Sequence, residues 1–502
     1  MSIRLLKGKA SVDVALNGDY FAVFGRGVEL VERLPDGFKG RIQLSAALPP
    51  RRSDWLLAER FSPRREVSLE TAMARWVRYG FLTDAAVSGH RLRIAGQIID
   101  SRRFSVFIRP QDPMANFARF MGKAKRKHRM IGKRLSREVS RPAGLLELTG
   151  PSGYAFQIAD SLVSLVPRRL SNRVLITQSR WPNGRRGERQ YAGVLHFLVG
   201  RDGKILVVNR VDAERAAMGV VVSELYPDTQ LEAIKAQAVL ARGQMLMNVG
   251  HRHPDQPFQL CAEHHCQAFH GLGALSDSVA EAVWSTRGEV LFHKGELVPS
   301  SYHASCGGHT EAHHEMWGGR MRSALKGVPD GLETADLRIE AHAKKLITEP
   351  STGAWCRKGG RRASTFRWLV RRSSQEIERR LRGHQQIGQL LDIQVKRRGR
   401  SGRALAVSYV GTESTYLAKG ATHNRSILGG LRSGLWYIKS KTRVGDSPPT
   451  HWEIVGGGYG HGVGLCQHGS IGLAKAGRGY RQILRHYFPG AALETLWPSP
   501  GP

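Results

Sequence analysis

The stretch VVVSELYPDTQLEAIKAQAVLARGQMLMNVG, Val220 to Gly250, is where the pattern of the chain changes. Pro227 and Asp228 break an apolar run that reads as extended. Thr229 with Glu232 three residues later makes a capping-box pattern, so a helix is predicted to follow. Leu231, Ile234, Ala238, Ala241 and Met245 fall at helical spacing on one face. The small alanines would let that face approach a neighbour closely, which predicts a buried helix.

Working outward, AGVLHFLVGRDGKILVVNRV on the N-terminal side reads as two strands around an Asp-Gly turn. On the C-terminal side, Ser373 with Glu376 makes a second capping box ahead of SSQEIERRLR, and LLDIQVKRRGRSGRALAVSYVG reads as two strands joined by a Ser-Gly turn. The chain ends in the glycine-dense GGGYGHGVGLCQHG and an amphipathic helix around Tyr480 to Tyr487. Near the N-terminus SVDVAL, YFAVF and RLRIAGQII alternate in hydropathy and read as β-rich. Between these regions lies RFMGKAKRKHRMIGKRLSREVSRP, Arg119 to Pro142, with Glu138 its only acid, which reads as a solvated, partly helical linker. The predicted class is α+β: a β-rich N-terminal region over 1–115, a basic linker over 116–145, and a mixed α/β domain over 146–495.

Lys and Arg number 76 against 42 Asp and Glu, a formal charge of +34 in 502 residues. Such a chain favours polyanionic surroundings: nucleic acid, anionic lipid or an anionic wall polymer. With 41% hydrophobic and 24% charged residues, composition excludes wholesale disorder and fibrous repeats. No apolar run is long enough for a membrane-spanning helix, and the opening residues lack the apolar core and cleavage site of a signal peptide. Five cysteines make no disulfide framework, and Cys356 and Cys466, far from the others, read as free thiols.

Glu224 lies between the apolar GVVVS and Pro227, on a predicted turn with hydrophobic neighbours. Such surroundings can raise a carboxylate's pKa and make it a general acid; alternatively it flanks the next helix and stabilises its N-terminus. In CAEHHC, Cys261, His265 and Cys266 offer ligands suited to tetrahedral zinc, although the spacing is not that of a Cys-x-x-Cys knuckle. His253 is the first choice for a fourth ligand, with Cys306 and His264 as substitutes. Four protein ligands would make the metal structural and an open position would make it catalytic; the alternative is a Cys261–Cys266 disulfide or two thiols. In SYHASCGGHTEAHHEMWGG, Cys306 with His303 or His309 forms a conceivable nucleophile pair, but no orienting partner is legible. The C-terminal glycines let the backbone approach something closely, or pack internally, with Tyr459, His461 and Gln467 projecting.

Together the segments VVSELYPDTQLEAIKAQAVLAR, CAEHHCQAF, SYHASCGGHTEAHHEMWGG, FRWLVRRSSQEIERRL and GGGYGHGVGLCQHGSIGLAKAG resemble, in order, the SpoIID family of bacterial cell-wall proteins, the stage II sporulation protein D or amidase-enhancer group. The likeness spans residues 185–490, within the 146–495 domain. It implies a lytic transglycosylase acting on peptidoglycan glycan strands, preferring strands stripped of stem peptides. The family's catalytic glutamate falls on Glu224, where SELYP replaces a Ser-Glu-Met-Pro-like motif. Structural zinc falls on Cys261, His265 and Cys266, with His253 a loose fit for the remaining histidine. Hydrolytic glycosidases ordinarily need two carboxylates, whereas a lytic transglycosylase needs one; Asp212, Glu214 and Asp228 are near in sequence as helpers. Tyr302, Tyr459, His461 and Gln467 are candidates for a sugar-binding wall. The resemblance further implies a cell-envelope location, although no signal peptide is visible, and a cell-wall amidase as a partner. Anionic wall polymers would suit the charge. Nucleic acid would too, through residues 119–142, but the sequence has no base-reading motif or basic–aromatic interleaving.

Overall fold

The Asp-Gly hairpin forms where the sequence places it. Strands Val194–Val199 and Ile205–Arg210 pair antiparallel, from Val194 opposite Arg210 to Val199 opposite Ile205. The structure is a computed structural model that describes residues 1–25, 30–48, 50–62, 68–88, 91–94, 97–100, 102–112, 116–128, 130–138, 140, 142–151, 155–158, 161–178, 181, 186–253, 256–331, 335–349 and 353–497. The α+β class holds: strands dominate the N-terminal half and helices are interspersed later. The chain divides into two units, one of Met1–Glu224 with Met245–Ser276, the other of Leu225–Gln244 with Asp277–Pro502.

In the first unit the hairpin sits inside a seven-stranded sheet. Its order is Leu260–Cys261, Ser2–Lys9, Ile205–Arg210, Val194–Val199, Leu162–Pro167, Tyr20–Phe24 and Leu30–Leu34. A six-stranded, a four-stranded and a two-stranded sheet complete the β framework of this unit among the described residues. The sequence division at 1–115, 116–145 and 146–495 cuts across these sheets. Ser2–Lys9 pairs with Ile205–Arg210, and Lys39–Leu48 pairs with Ala143–Thr149. Residue 115 itself lies outside the described residues, as do residues 95 and 96 between the strands Arg91–Ile94 and Gln97–Asp100 of RLRIAGQII. The basic stretch is built into structure rather than left as a tether: it contributes most of the helix Phe117–Lys127 and the strand Lys133–Glu138. The helix packs Phe117, Phe120 and Met121 against Leu56, Trp76 and Ile108. Its charges occupy the remaining positions, as an amphipathic helix requires. Composition registers the charges and misses the apolar stripe between them.

Among the described residues the second unit holds two large cores and a smaller cluster of Ile347, Leu435 and Tyr437. One gathers Ala236, Val239 and Leu240 with Leu465, Ile483 and Phe488; the other packs Trp368, Trp436 and Trp452 beneath three-stranded sheets. The Ser-Gly hairpin Leu390–Arg398 with Ala404–Gly411 forms, and so does the C-terminal helix Tyr480–Tyr487. Ser373 caps the helix Ser374–Leu381, its hydroxyl accepting the Glu376 N–H at 3.2 Å.

Candidate functional site

The decisive stretch resolves into two helices, Ala213–Glu224 and Leu231–Asn248. The first replaces the extended run expected before Pro227. Three valines favour a strand locally, but Asp212 accepts the Arg215 N–H at 2.9 Å in the manner of an N-cap. Ala216, Ala217, Met218, Val220 and Val221 are then buried around the turns. The second helix begins at Leu231, two residues beyond Thr229, so Glu232 does not serve as a capping-box residue. Its carboxylate instead accepts the Tyr480 N–H at 2.7 Å and pairs with Lys235 at 2.6 Å. This helix is buried on nearly every side, Gln237 and Arg242 included, and only Leu231 is exposed.

Glu224 is therefore the last residue of a helix and the last residue of the first unit before the chain passes to the second. A carboxylate at the end of this helix gains nothing from its macrodipole, and the next helix begins seven residues later. Glu224 Oε1 accepts the backbone N–H of Ala268 at 3.4 Å, while Ser223 Oγ accepts the His270 N–H at 2.8 Å. Two consecutive side chains thus rest on the 268–270 segment. Phe269, between those amides, lies against Gly219 so closely that a Cβ there would stand 2.3 Å from its ring. The helpers are engaged differently: Asp212 caps and pairs with Arg215, Glu214 is buried, and Asp228 pairs with Arg361.

The 268–270 segment leaves a metal-ligand cluster. His253, Cys261, His265 and Cys266 bring their ligand atoms within 4.8 Å of one another. Cys266 Sγ stands 3.3 Å from His253 Nε2 and 3.6 Å from His265 Nδ1, and Cys261 Sγ 3.8 Å from His265 Nδ1. Ligands around one tetrahedral zinc ion are separated by about 3.5 Å, from bond lengths of about 2.0–2.3 Å, so the donor set and its spacing fit. His253 occupies the fourth place; His264 is exposed and Cys306 belongs to the other unit. Cys266, with backbone and histidine donors, holds the Cys261 thiol well below the ordinary range, while the same contact pushes the Cys266 thiol up, so the pair holds one thiolate. Thiolate is the protonation state a ligand needs.

In the second unit, the strand Tyr302–His303 pairs in parallel with Leu465–Cys466, and Ser305 pairs with Tyr459. Gly458, Gly460, Gly462 and Gly464 all have positive φ. Side chains there would collide with Ser305, His303, Arg403 and Ser301 respectively, so the glycines pack the loop inward. Between them Tyr459 is half-exposed, and His461 sits 5.4 Å from His303 and 4.9 Å from Trp317, ring to ring. Burial pushes His461 down to about 4, and its Nδ1 accepts the Val463 N–H at 3.0 Å. His461 is therefore neutral at pH 7. Tyr302 adjoins this ring cluster through His303, while Gln467 is buried at the start of the helix Gln467–Lys475. Trp317, 48% exposed, was not singled out from the sequence; its place in HHEMW, one helical turn from His313, was the available signal.

Cys306 is fully buried and faces sulfur rather than a histidine base: its Sγ lies 3.6 Å from Cys356 Sγ. Burial pushes its thiol well up, the reverse of what a nucleophile needs. Cys356 and Cys466, read as separate free thiols, join it. Glu311 was also not assigned a role; it is wholly buried, its Oε2 accepting the Ser401 hydroxyl at 2.6 Å.

Comparison with known proteins agrees with the family read from the sequence. The family described as "Stage II sporulation protein" (SpoIID) matches residues 201–293, and a domain of unknown function (DUF8618) matches residues 311–464. An uncharacterised protein of Brachyspira hyodysenteriae is 25% identical over 302 residues, 60% of this chain and 71% of that protein. The amidase enhancer of Bacillus subtilis is 26% identical over 299 residues, 55% of this chain and 40% of the relative's length. Stage II sporulation protein D of Bacillus amyloliquefaciens is 23% identical over 297 residues, 56% of this chain and 74% of that protein.

Proposed function

We propose that this chain, which carries a SpoIID domain over residues 201–293, acts in the cell envelope as a lytic transglycosylase on peptidoglycan, cleaving MurNAc–GlcNAc bonds in strands stripped of stem peptides. The observation that carries this reading is Glu224 at a helix end, its carboxylate held by a backbone amide of the segment leaving the Cys/His cluster. One carboxylate suffices for the reaction. Glu224 protonates the glycosidic oxygen as the bond to C1 breaks. It then accepts the proton of the muramic acid 6-hydroxyl as that oxygen bonds to C1, which gives the 1,6-anhydro product and returns the acid to its starting state.

Zinc would be held by His253, Cys261, His265 and Cys266. With all four positions filled by protein groups it would fix the loop and take no part in proton transfer. Tyr302, Tyr459, His461 and Gln467 would bind sugars, joined by Trp317, because aromatic faces and planar hydrogen-bonding groups suit a glycan. The excess of positive charge suits anionic wall polymers.

The name of the B. subtilis relative supports a second reading, a non-catalytic wall protein that enhances an N-acetylmuramoyl-L-alanine amidase. Digestion of purified peptide-free glycan strands, read by mass spectrometry, separates the two. Anhydro-muramic ends that vanish in Glu224→Gln support the transglycosylase. Intact glycan, with an amidase stimulated equally by both proteins, supports the enhancer.

A further inference from the structure

In the second unit, Cys306, Asp330, Cys356 and Cys466 lie 24 to 160 positions apart, yet their ligand atoms all fall within 4.8 Å of one another. Each of the four residues is 0% exposed. Three buried sulfurs and a carboxylate converging on one point is an unusual content for an apolar core, since a buried carboxylate is costly unless something pairs with it.

The hydrogen-bond donors around the sulfurs suit thiolates once a bound cation offsets their burial. Backbone N–H groups aim at the sulfurs: Gly308 at Cys306 Sγ, 3.4 Å, and Cys306 and Gly469 at Cys466 Sγ, 3.2 and 3.3 Å. A neutral thiol is a weak acceptor, whereas a thiolate is a strong one. Two guanidiniums, one fully buried and one partly buried, stand on the adjoining backbone: Arg403 donates to the Cys306 carbonyl and Arg367 to the Gly307 carbonyl, both at 2.9 Å. Three thiolates and one carboxylate carry four negative charges; a divalent ion and two guanidiniums carry four positive ones. Asp330 is oriented by the Cys356 N–H at 2.7 Å and by the Tyr487 hydroxyl, the supporting hydrogen bonds a ligating carboxylate requires.

We propose that Cys306, Cys356, Cys466 and Asp330 form a second metal site, a closed, mononuclear structural site for a thiolate-preferring divalent ion such as zinc. The 3.6 Å between Cys306 and Cys356 sulfurs is close to the separation of about 3.7 Å that two thiolates take around one tetrahedral zinc at Zn–S distances of about 2.3 Å. A multinuclear cluster would need more space than ligand atoms so close together leave. Binding displaces the thiol protons, which burial otherwise holds on all three sulfurs. A Cys306–Cys356 disulfide is the competing arrangement; it would give no role to the convergence of Cys466 Sγ and the Asp330 carboxylate on the same point.

The test is metal stoichiometry of the purified full-length chain, measured by elemental analysis together with intact mass under denaturing, non-reducing conditions. The expected result is two zinc equivalents per chain and five free thiols. Cys356→Ser and Asp330→Asn should each lower the content to one, Cys261→Ser should lower it to the other one, and the Cys261→Ser/Cys356→Ser pair to none. Because the core variants could fail to fold, the wild-type chain loaded with Co2+ gives a second readout: thiolate-to-metal charge-transfer absorption for five sulfurs rather than two. A single equivalent that disappears in Cys261→Ser overturns the proposal, as does a mass two hydrogens lower with the bond mapped to Cys306 and Cys356.

Discussion

Glu224 Oε1 accepts the Ala268 N–H at 3.4 Å, and Ala268 is two residues beyond Cys266. The carboxylate is therefore positioned by a segment whose own path depends on the Cys/His cluster. Losing the cluster should move the acid without removing it. Cys266→Ser is expected to lose bound metal and at least about 10-fold in glycan cleavage, the usual scale for losing metal-site support. Glu224→Gln should keep the metal and lose cleavage. Elemental analysis beside anhydro-product formation reads both, and full activity in metal-free Cys266→Ser would sink the link.

Gly219 should not tolerate alanine, although it lies inside a helix. Replacing an exposed helical glycine by alanine normally gains about 1 kcal/mol. Here the new Cβ would meet the Phe269 ring at 2.3 and 2.8 Å, and overpacking of that kind costs about 1–3 kcal/mol. The net effect predicted for Gly219→Ala is a lower urea midpoint, partly restored by Phe269→Leu. A midpoint at or above that of wild type would show that the ring moves aside freely.

Trp317 is expected to bind glycan. Its half-exposed ring lies 4.9 Å from His461 and 5.1 Å from His313, a ready surface for the face of a sugar. Trp317→Ala, made in the Glu224→Gln background so that substrate persists, should weaken strand binding by about 10-fold, equivalent to about 1.4 kcal/mol. Tyr459→Ala should act in the same direction. Unchanged binding isotherms for both would remove the wall from the site.

Glu311 gives a stability signature in pH. Burial, opposed by Arg403 and reinforced by the neighbouring Glu315, pushes its carboxyl up to about 7. The folded chain thus holds a proton that the unfolded chain releases near the ordinary glutamate range of about 4.3. The sign follows: this contribution is present below the unfolded pKa and is lost as pH rises through the folded one. Glu311→Gln keeps the neutral form at every pH, so its melting temperature should rise relative to wild type between about pH 5 and about pH 8. A difference that stays flat across that range would contradict the assignment.

The candidate site was legible where chemistry is local. Glu224 was marked by apolar neighbours and, as a catalytic candidate, by the family resemblance, whereas Cys261, His265 and Cys266 stand within six residues. His253, eight residues upstream of Cys261, was chosen among three alternatives, and the fold selects it by turning the 253 and 261–266 segments toward each other. The valine run before Glu224 misled because strand preference of β-branched residues is a weak local bias, overridden by the cap at Asp212 and burial of the helix. The basic segment misled because charge is visible in composition, whereas an apolar face matters only once a core exists to receive it.

What the sequence by itself determined is what one or two turns of chain decide. The Val194–Val199 and Ile205–Arg210 hairpin, the Ser373 cap and the Tyr480–Tyr487 helix all follow from short-range hydrogen bonds and side-chain periodicity. Only the tertiary structure decided that Ser2–Lys9 would pair with Ile205–Arg210, and that Cys306, Cys356 and Cys466 would meet around Asp330. Such contacts bring together residues 24 or more positions apart and carry no periodicity along the chain. They are selected by the total burial and hydrogen bonding of the fold, which no local stretch contains.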